Sequence, residues 1–117
     1  VASLALVALL IGAPLPAEAA DGKVAEAKAY AAKKLGTRQY RCLNSIIMRE
    51  SHWNPLAHNR WSGAHGIGQA LPATKMRRFG RDYMTSAVTQ VRWMIVYVSK
   101  YGGACGAWTF WQSHGWY

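Results

Sequence analysis

A chain of 117 residues is enough for one domain, and its 14 Lys and Arg against 5 Asp and Glu leave a formal charge of +9. That excess points to an anionic partner: nucleic acid, anionic lipid or an acidic wall polymer, with a merely solvated basic surface as the plain alternative. The acids are Glu18, Asp21, Glu26, Glu50 and Asp82, so beyond residue 26 any two-carboxylate chemistry is confined to Glu50 and Asp82.

Val1 to Ile11 is almost wholly apolar, and Pro14, Pro16 and Ala17-Glu18-Ala19 follow. The stretch has the form of a signal peptide, residues 1–19, cut after Ala19 and lacking its basic n-region. It is shorter than the roughly 20 apolar residues that span a bilayer, so no stable membrane anchor is expected. Export gives the two cysteines a role. Cys42 and Cys105 are an even pair in a secreted domain and are expected to form one disulfide.

Residues 20–37 form a leading helix and connection. Asp21 is placed to N-cap a helix over 22–35, and Gly36 to end it. Alanines dominate this helix, which predicts light packing. The main domain is then 38–117. Arg38 to Arg49 reads as a helix, with Cys42, Leu43, Ile46 and Ile47 on one apolar face. Glu50 continues that face, four beyond Ile46 and three beyond Ile47. A carboxylate at the end of a buried stripe, near a helix C-terminus, has its charged form disfavoured by desolvation and by the helix dipole. It is suited to donating a proton. The plain reading is a surface glutamate paired with Arg49 or another arginine. The inward phase, the scarcity of acids and the Gly63–Gln69 segment after it favour the chemical one.

Trp53 to Gly68 is rich in Gly, Asn, Pro and His and reads as loop plus a small hairpin. Residues 70–78 hold one short helix, and 79–85 form a polar connection containing Asp82. Ser86 caps a long, central helix over 87–101, apolar on most sides. Gly102-Gly103 ends it, and a final helix runs from Ala104 to about Ser113. The expected fold is mainly α.

Four histidines, His52, His58, His65 and His114, raise the question of zinc. None forms H-E-x-x-H, and Glu50 and His52 would not share a helix face, so no metal or cofactor is expected. Six tryptophans serve either as core or as platforms for sugar rings. Trp53 and Trp61, in the loops beside Glu50, are the groove candidates. Trp93 and Trp108 read as core. Trp111 is open between the two and is kept among the candidate substrate-binding residues.

The pattern E-S-x-W-N-P-x-A-x-N at 50–59, followed by G-A-x-G-I-x-Q-x-L-P at 63–72, resembles the signature of soluble lytic transglycosylase-type domains of the lysozyme-like superfamily. The tail from Tyr101 resembles the small secreted actinobacterial branch, and the likeness runs from about Arg38 to Tyr117. It implies a lysozyme-like α domain with a small loop and hairpin region beside the site. It also implies a monomer that cleaves the β-1,4 bond between N-acetylmuramic acid and N-acetylglucosamine in peptidoglycan. Glu50 inherits the role of catalytic acid and base. Asn59, Gln69 and, on the next helix, Tyr97 inherit substrate contacts. Two positions depart from the pattern. Gly68 stands where Met or Pro is expected, and the Tyr-Asn-Ala-Gly segment of larger relatives is replaced by sequence around Phe110-Trp111. The resemblance implies a one-carboxylate reaction in which the substrate's own 6-hydroxyl attacks.

The expected partners are peptidoglycan strands and anionic cell-wall polymers, and the expected place is outside the cell or at its wall. Two alternatives stand beside this: a lysozyme-type muramidase using Glu50 and Asp82 as its carboxylate pair, and a noncatalytic wall-binding module. Nucleic acid is disfavoured, because the basic residues are scattered and export argues against it.

Overall fold

The computed structural model describes residues 14–117, so most of the expected signal segment lies outside the described residues. Helix α1 runs Pro14–Leu35, α2 Thr37–Glu50, α3 Ala87–Tyr97 and α4 Ala104–His114. Short 3-10 helices occupy Ala73–Phe79 and Val98–Tyr101. The fold is mainly helical, as expected. The anticipated hairpin is reduced to isolated bridges, His58 with His65 and His65 with Ala70.

Helix α1 starts at Pro14, so Asp21 lies within it rather than at its cap. Nor is it lightly packed. Ala27 and Ala31 are fully buried, with Val24, Tyr30 and Leu35 against the same core, and α1 packs on α3. Two small side chains one turn apart let the helices approach closely, which composition alone read as weak packing. Gly36 turns the chain at φ 81° into α2.

Leu43, Ile46 and Ile47 of α2 are buried, as their spacing requires. Helix α2 packs on α4, and the Cys42–Cys105 disulfide joins the two. Ser86 caps α3 by accepting from the Thr89 amide at 3.2 Å. The expected helix over 87–101 keeps its extent but tightens to 3-10 after Tyr97. Val91, Met94 and Val98 make its buried stripe, with Trp93 beside them.

One buried polar residue organises the loops. Gln90 is fully enclosed, and all the hydrogen bonds of its side chain leave the helix. Its Oε1 accepts from the Ile67 amide at 2.9 Å; its Nε2 donates to the carbonyls of Pro55 at 3.0 Å and Tyr83 at 2.9 Å. Three separate loop segments are thereby pinned to α3, and each of these buried polar groups is satisfied. Gly66 is required beside it, because a Cβ there would come within 2.6 Å of the Gln90 amide.

Candidate functional site

Glu50 is the last residue of α2, and the chain folds back at once. Ser51 leaves the helix, and His52 and Trp53 take left-handed backbone angles, φ 54° and 63°. The Ser51 hydroxyl donates to the Ile67 carbonyl at 2.7 Å. That bond ties the end of α2 to the glycine-rich segment, so the segment lies against Glu50.

The result is a cleft of about 380 Å³ lined by Glu50, Asn59, Ala64, Gln69, Leu71, Gly115, Trp116 and Tyr117. Glu50 is half-buried, and its Oε2 accepts from the Trp111 indole N–H at 2.8 Å. Burial pushes its carboxyl above the ordinary carboxylate range, and the Trp111 bond pulls part of the way back. It makes no ion pair among the described residues, where the single pair is Lys23–Glu26. The guanidinium of Arg49 lies instead over Trp108 and Trp111, at 5.2 and 5.8 Å from the ring centres.

Asn59 and Gln69 both reach the cleft wall and both are held. Asn59 Oδ1 accepts from the amides of Trp61 and Ser62, at 2.9 and 3.0 Å. Gln69 has φ 51°, and its Nε2 donates to the carbonyls of Ala57 and Gly66, at 3.1 and 3.0 Å. Two carbonyl partners fix the orientation of that amide and leave its oxygen as a preorganised acceptor. Tyr97 does not line the Glu50 cleft. It lines an adjoining pocket of about 160 Å³ with Gln69, Leu71, Lys75, Trp93 and Tyr117.

The tryptophans divide differently from the sequence reading. Trp53 is 3% exposed and belongs to the core: its indole N–H donates to Asn44 at 2.7 Å, and its ring packs on Tyr40. The two left-handed residues after α2 swing it back onto its own helix. Trp61 is 90% exposed and outside the cleft lining. Trp111, left open by the sequence, touches Glu50 directly, and half-buried Trp108 stacks on it at 5.8 Å.

Asp82 is away from this cleft. It is exposed, and its Oδ1 accepts from the Thr89 hydroxyl at 2.6 Å, just before α3. Among the described residues no group of three or more His, Cys, Asp or Glu could hold a metal. His58 and His65 do meet, Nδ1 to Nδ1 at 3.1 Å, and His65 Nε2 lies 2.7 Å from the Met84 carbonyl.

The tail was missed. Gly115 takes φ 78° and turns the chain after α4, so Trp116 and Tyr117 form one wall of the cleft. The Tyr117 hydroxyl donates to the Gly68 carbonyl at 2.6 Å. Burial holds it well above the ordinary phenol range, with the nearby Glu50 charge acting in the same direction. Gly68, the departure from the motif, is where this fits: a Cβ there would lie 2.8 Å from that hydroxyl and 3.0 Å from Met94 Sδ. A glycine after a helix with aromatics beyond it was the available signal. No described helix is long and apolar enough to cross a membrane. Comparison of the chain with protein-family models, curated proteins and solved structures finds no match.

Proposed function

We propose that this chain is a secreted peptidoglycan lytic transglycosylase, with Glu50 as general acid and then general base. The observation that carries the reading is a single half-buried carboxyl, raised by burial, in a cleft whose lining residues include no second acidic side chain. The resemblance of residues 50–72 to transglycosylase-type domains supports the same assignment.

The chemistry follows from that one group. Protonated Glu50 gives its proton to the bridging oxygen of a β-1,4 bond as the bond from that oxygen to C1 breaks. The N-acetyl oxygen of the substrate supports the electron-poor C1. The Glu50 carboxylate then takes the proton from the 6-hydroxyl as that oxygen bonds to C1, which leaves a 1,6-anhydro sugar. The indole N–H of Trp111 stabilises the carboxylate between the two steps. No cofactor enters. Asp82, outside the cleft and bound to Thr89, supplies no opposing carboxylate.

The test is digestion of purified peptidoglycan followed by mass spectrometry. Wild-type protein is expected to release muropeptides lighter by one water than hydrolysis products. Glu50→Gln is expected to lower the rate by at least about 10²- to 10⁴-fold. Its folding should be unharmed at neutral pH, because a raised carboxyl pKa means the fold disfavours the charge that Gln removes. That advantage disappears below the ordinary carboxylate pKa, where Glu50 is protonated in both states. Hydrated reducing ends would favour the muramidase, an equally active Glu50→Gln would overturn Glu50 as the acid and base, and a wild-type protein that cuts no glycan would leave the wall-binding module.

A further inference from the structure

We propose that the groove continuing from the Glu50 cleft ends in a subsite for the stem-peptide carboxylates of the glycan strand, with Lys75 as the residue that selects them. The inference rests on the transglycosylase reading for the identity of the strand, and on separate observations for the subsite.

The first observation is continuity. The Glu50 cleft shares Gln69, Leu71 and Tyr117 with the adjoining pocket. That pocket shares Lys75, Trp93 and Tyr97 with a third, of about 310 Å³, which adds Arg78, Phe79 and Val96. Three depressions with common walls make one groove.

The second is the change of charge along it. Glu50 is the one charged residue lining the first cleft, and Lys75 and Arg78 are the charged residues of the other two. Neither cation has a carboxylate partner among the described residues. The Lys75 ammonium stands 5.2 Å from the centre of the Tyr97 ring, and Lys100 donates to the Tyr97 hydroxyl at 2.8 Å. Two ammonium groups therefore converge on one groove residue.

The third is the apolar ground between them. Leu71 and Val96 are exposed, and Phe79 is half-buried. A ligand that covers this surface and meets the cations has an apolar or sugar body bearing carboxylates. Lactyl-linked peptides on muramic acid have that composition, whereas a bare neutral glycan offers Lys75 no charge to pair with.

The test uses Glu50→Gln protein, so that no turnover intervenes, and titrates a muramyl peptide with free carboxylates and the same compound amidated. The free acid is expected to bind about two- to fivefold more tightly at low salt, as befits an exposed charge contact, and high salt should erase the difference. Adding Lys75→Met should also erase it while leaving the amidated compound's affinity in place, and Lys75→Arg should restore it. Equal affinities for the two compounds, or a preference that survives Lys75→Met, would overturn the subsite. Competition by glycerol phosphate as effective as that by the free peptide would overturn its assignment to carboxylates. Because binding is read without cleavage, a failure of the transglycosylase reading shows separately, as a wild-type protein that cuts no glycan.

Discussion

Trp111 and Glu50, 61 residues apart, meet through an indole N–H to carboxylate bond of 2.8 Å. The bond joins the end of α2 to the last turn of α4. Its donor is neutral, so it orients the carboxyl and favours the ionised form without the strong pull of a cation.

Trp111→Phe removes that donor and keeps most of the ring. Burial already raises the Glu50 pKa, and the lost bond was lowering it, so the pKa should rise further. Glu50 then stays protonated to higher pH, and the basic limb of the pH–rate profile should move up. The maximum rate should fall by about three- to tenfold, because the carboxylate left between the two steps loses a hydrogen bond. A profile unchanged in position would show that the bond does not act on Glu50.

Gly68 and Tyr117 should behave as a coupled pair. Gly68→Ala puts a methyl 2.8 Å from the Tyr117 hydroxyl, 3.0 Å from Met94 Sδ and 3.2 Å from Trp93, and is expected to cost about 1–3 kcal/mol by overpacking. Tyr117→Phe should cost about 1 kcal/mol for the lost bond to the Gly68 carbonyl. Urea unfolding of the double variant should show less than the sum, since removing the hydroxyl makes room for the methyl. Strict additivity would mean that the tail does not dock where Gly68 admits it.

How far the site could be foreseen depends on how local its causes are. Glu50 was legible because helical phase is a local property: Ile46 and Ile47 carry it inward. Ser86 as a cap and the Cys42–Cys105 pair were legible for similar reasons of local chemistry and simple count. Trp53 was not, because its fate depends on two non-glycine residues in left-handed geometry, which composition does not announce. Gln90 carries no local signal of its role. Its meaning lies in three partners, 23 and 35 residues before it and 7 before it, that only the tertiary fold brings together. Tyr117 was hidden in the same way, and Gly68 looked like a defect in a motif until the hydroxyl beside it was visible.

The disulfide should be needed for activity as well as stability. Its cysteines are 63 residues apart, and closing such a loop stabilises the fold by about 4 kcal/mol in the chain-entropy model. It also holds α4, and therefore Trp111, against α2. Thermal melting under reducing conditions should show a large drop in Tm, with loss of cleavage at temperatures where the oxidised protein works. Thiol titration of denatured, unreduced protein should find no free thiol. An unchanged melting curve after verified reduction would contradict the stabilising role, and free thiols in unreduced protein would contradict the bond itself.

Asp82 provides the sharpest separation of the two glycosidase mechanisms. A muramidase of the two-carboxylate kind needs a second acid across the scissile bond from Glu50. Asp82 is the one other carboxylate beyond residue 26, yet it does not line the cleft. Its Oδ1 accepts from Thr89, and its main-chain oxygen accepts from the amides of Thr85 and Ser86. It sits before the first turn of α3, where a negative charge is favoured by the helix dipole. Asp82→Asn keeps an acceptor for Thr89 and removes only the charge. It should cost about 0.5 kcal/mol, the lower part of the usual range for a charge at a helix N-terminus. In a domain of this size that is a fall in Tm of roughly 2–4 °C. Asp82→Ala also strands the Thr89 hydroxyl and should cost about 1 kcal/mol more. Cleavage of peptidoglycan by either variant, measured well below its Tm, should stay within about twofold of wild type, because neither substitution touches the groove. A fall of several orders of magnitude in Asp82→Asn, with an unchanged melting curve, would instead make Asp82 the second catalytic carboxylate and the protein a hydrolase.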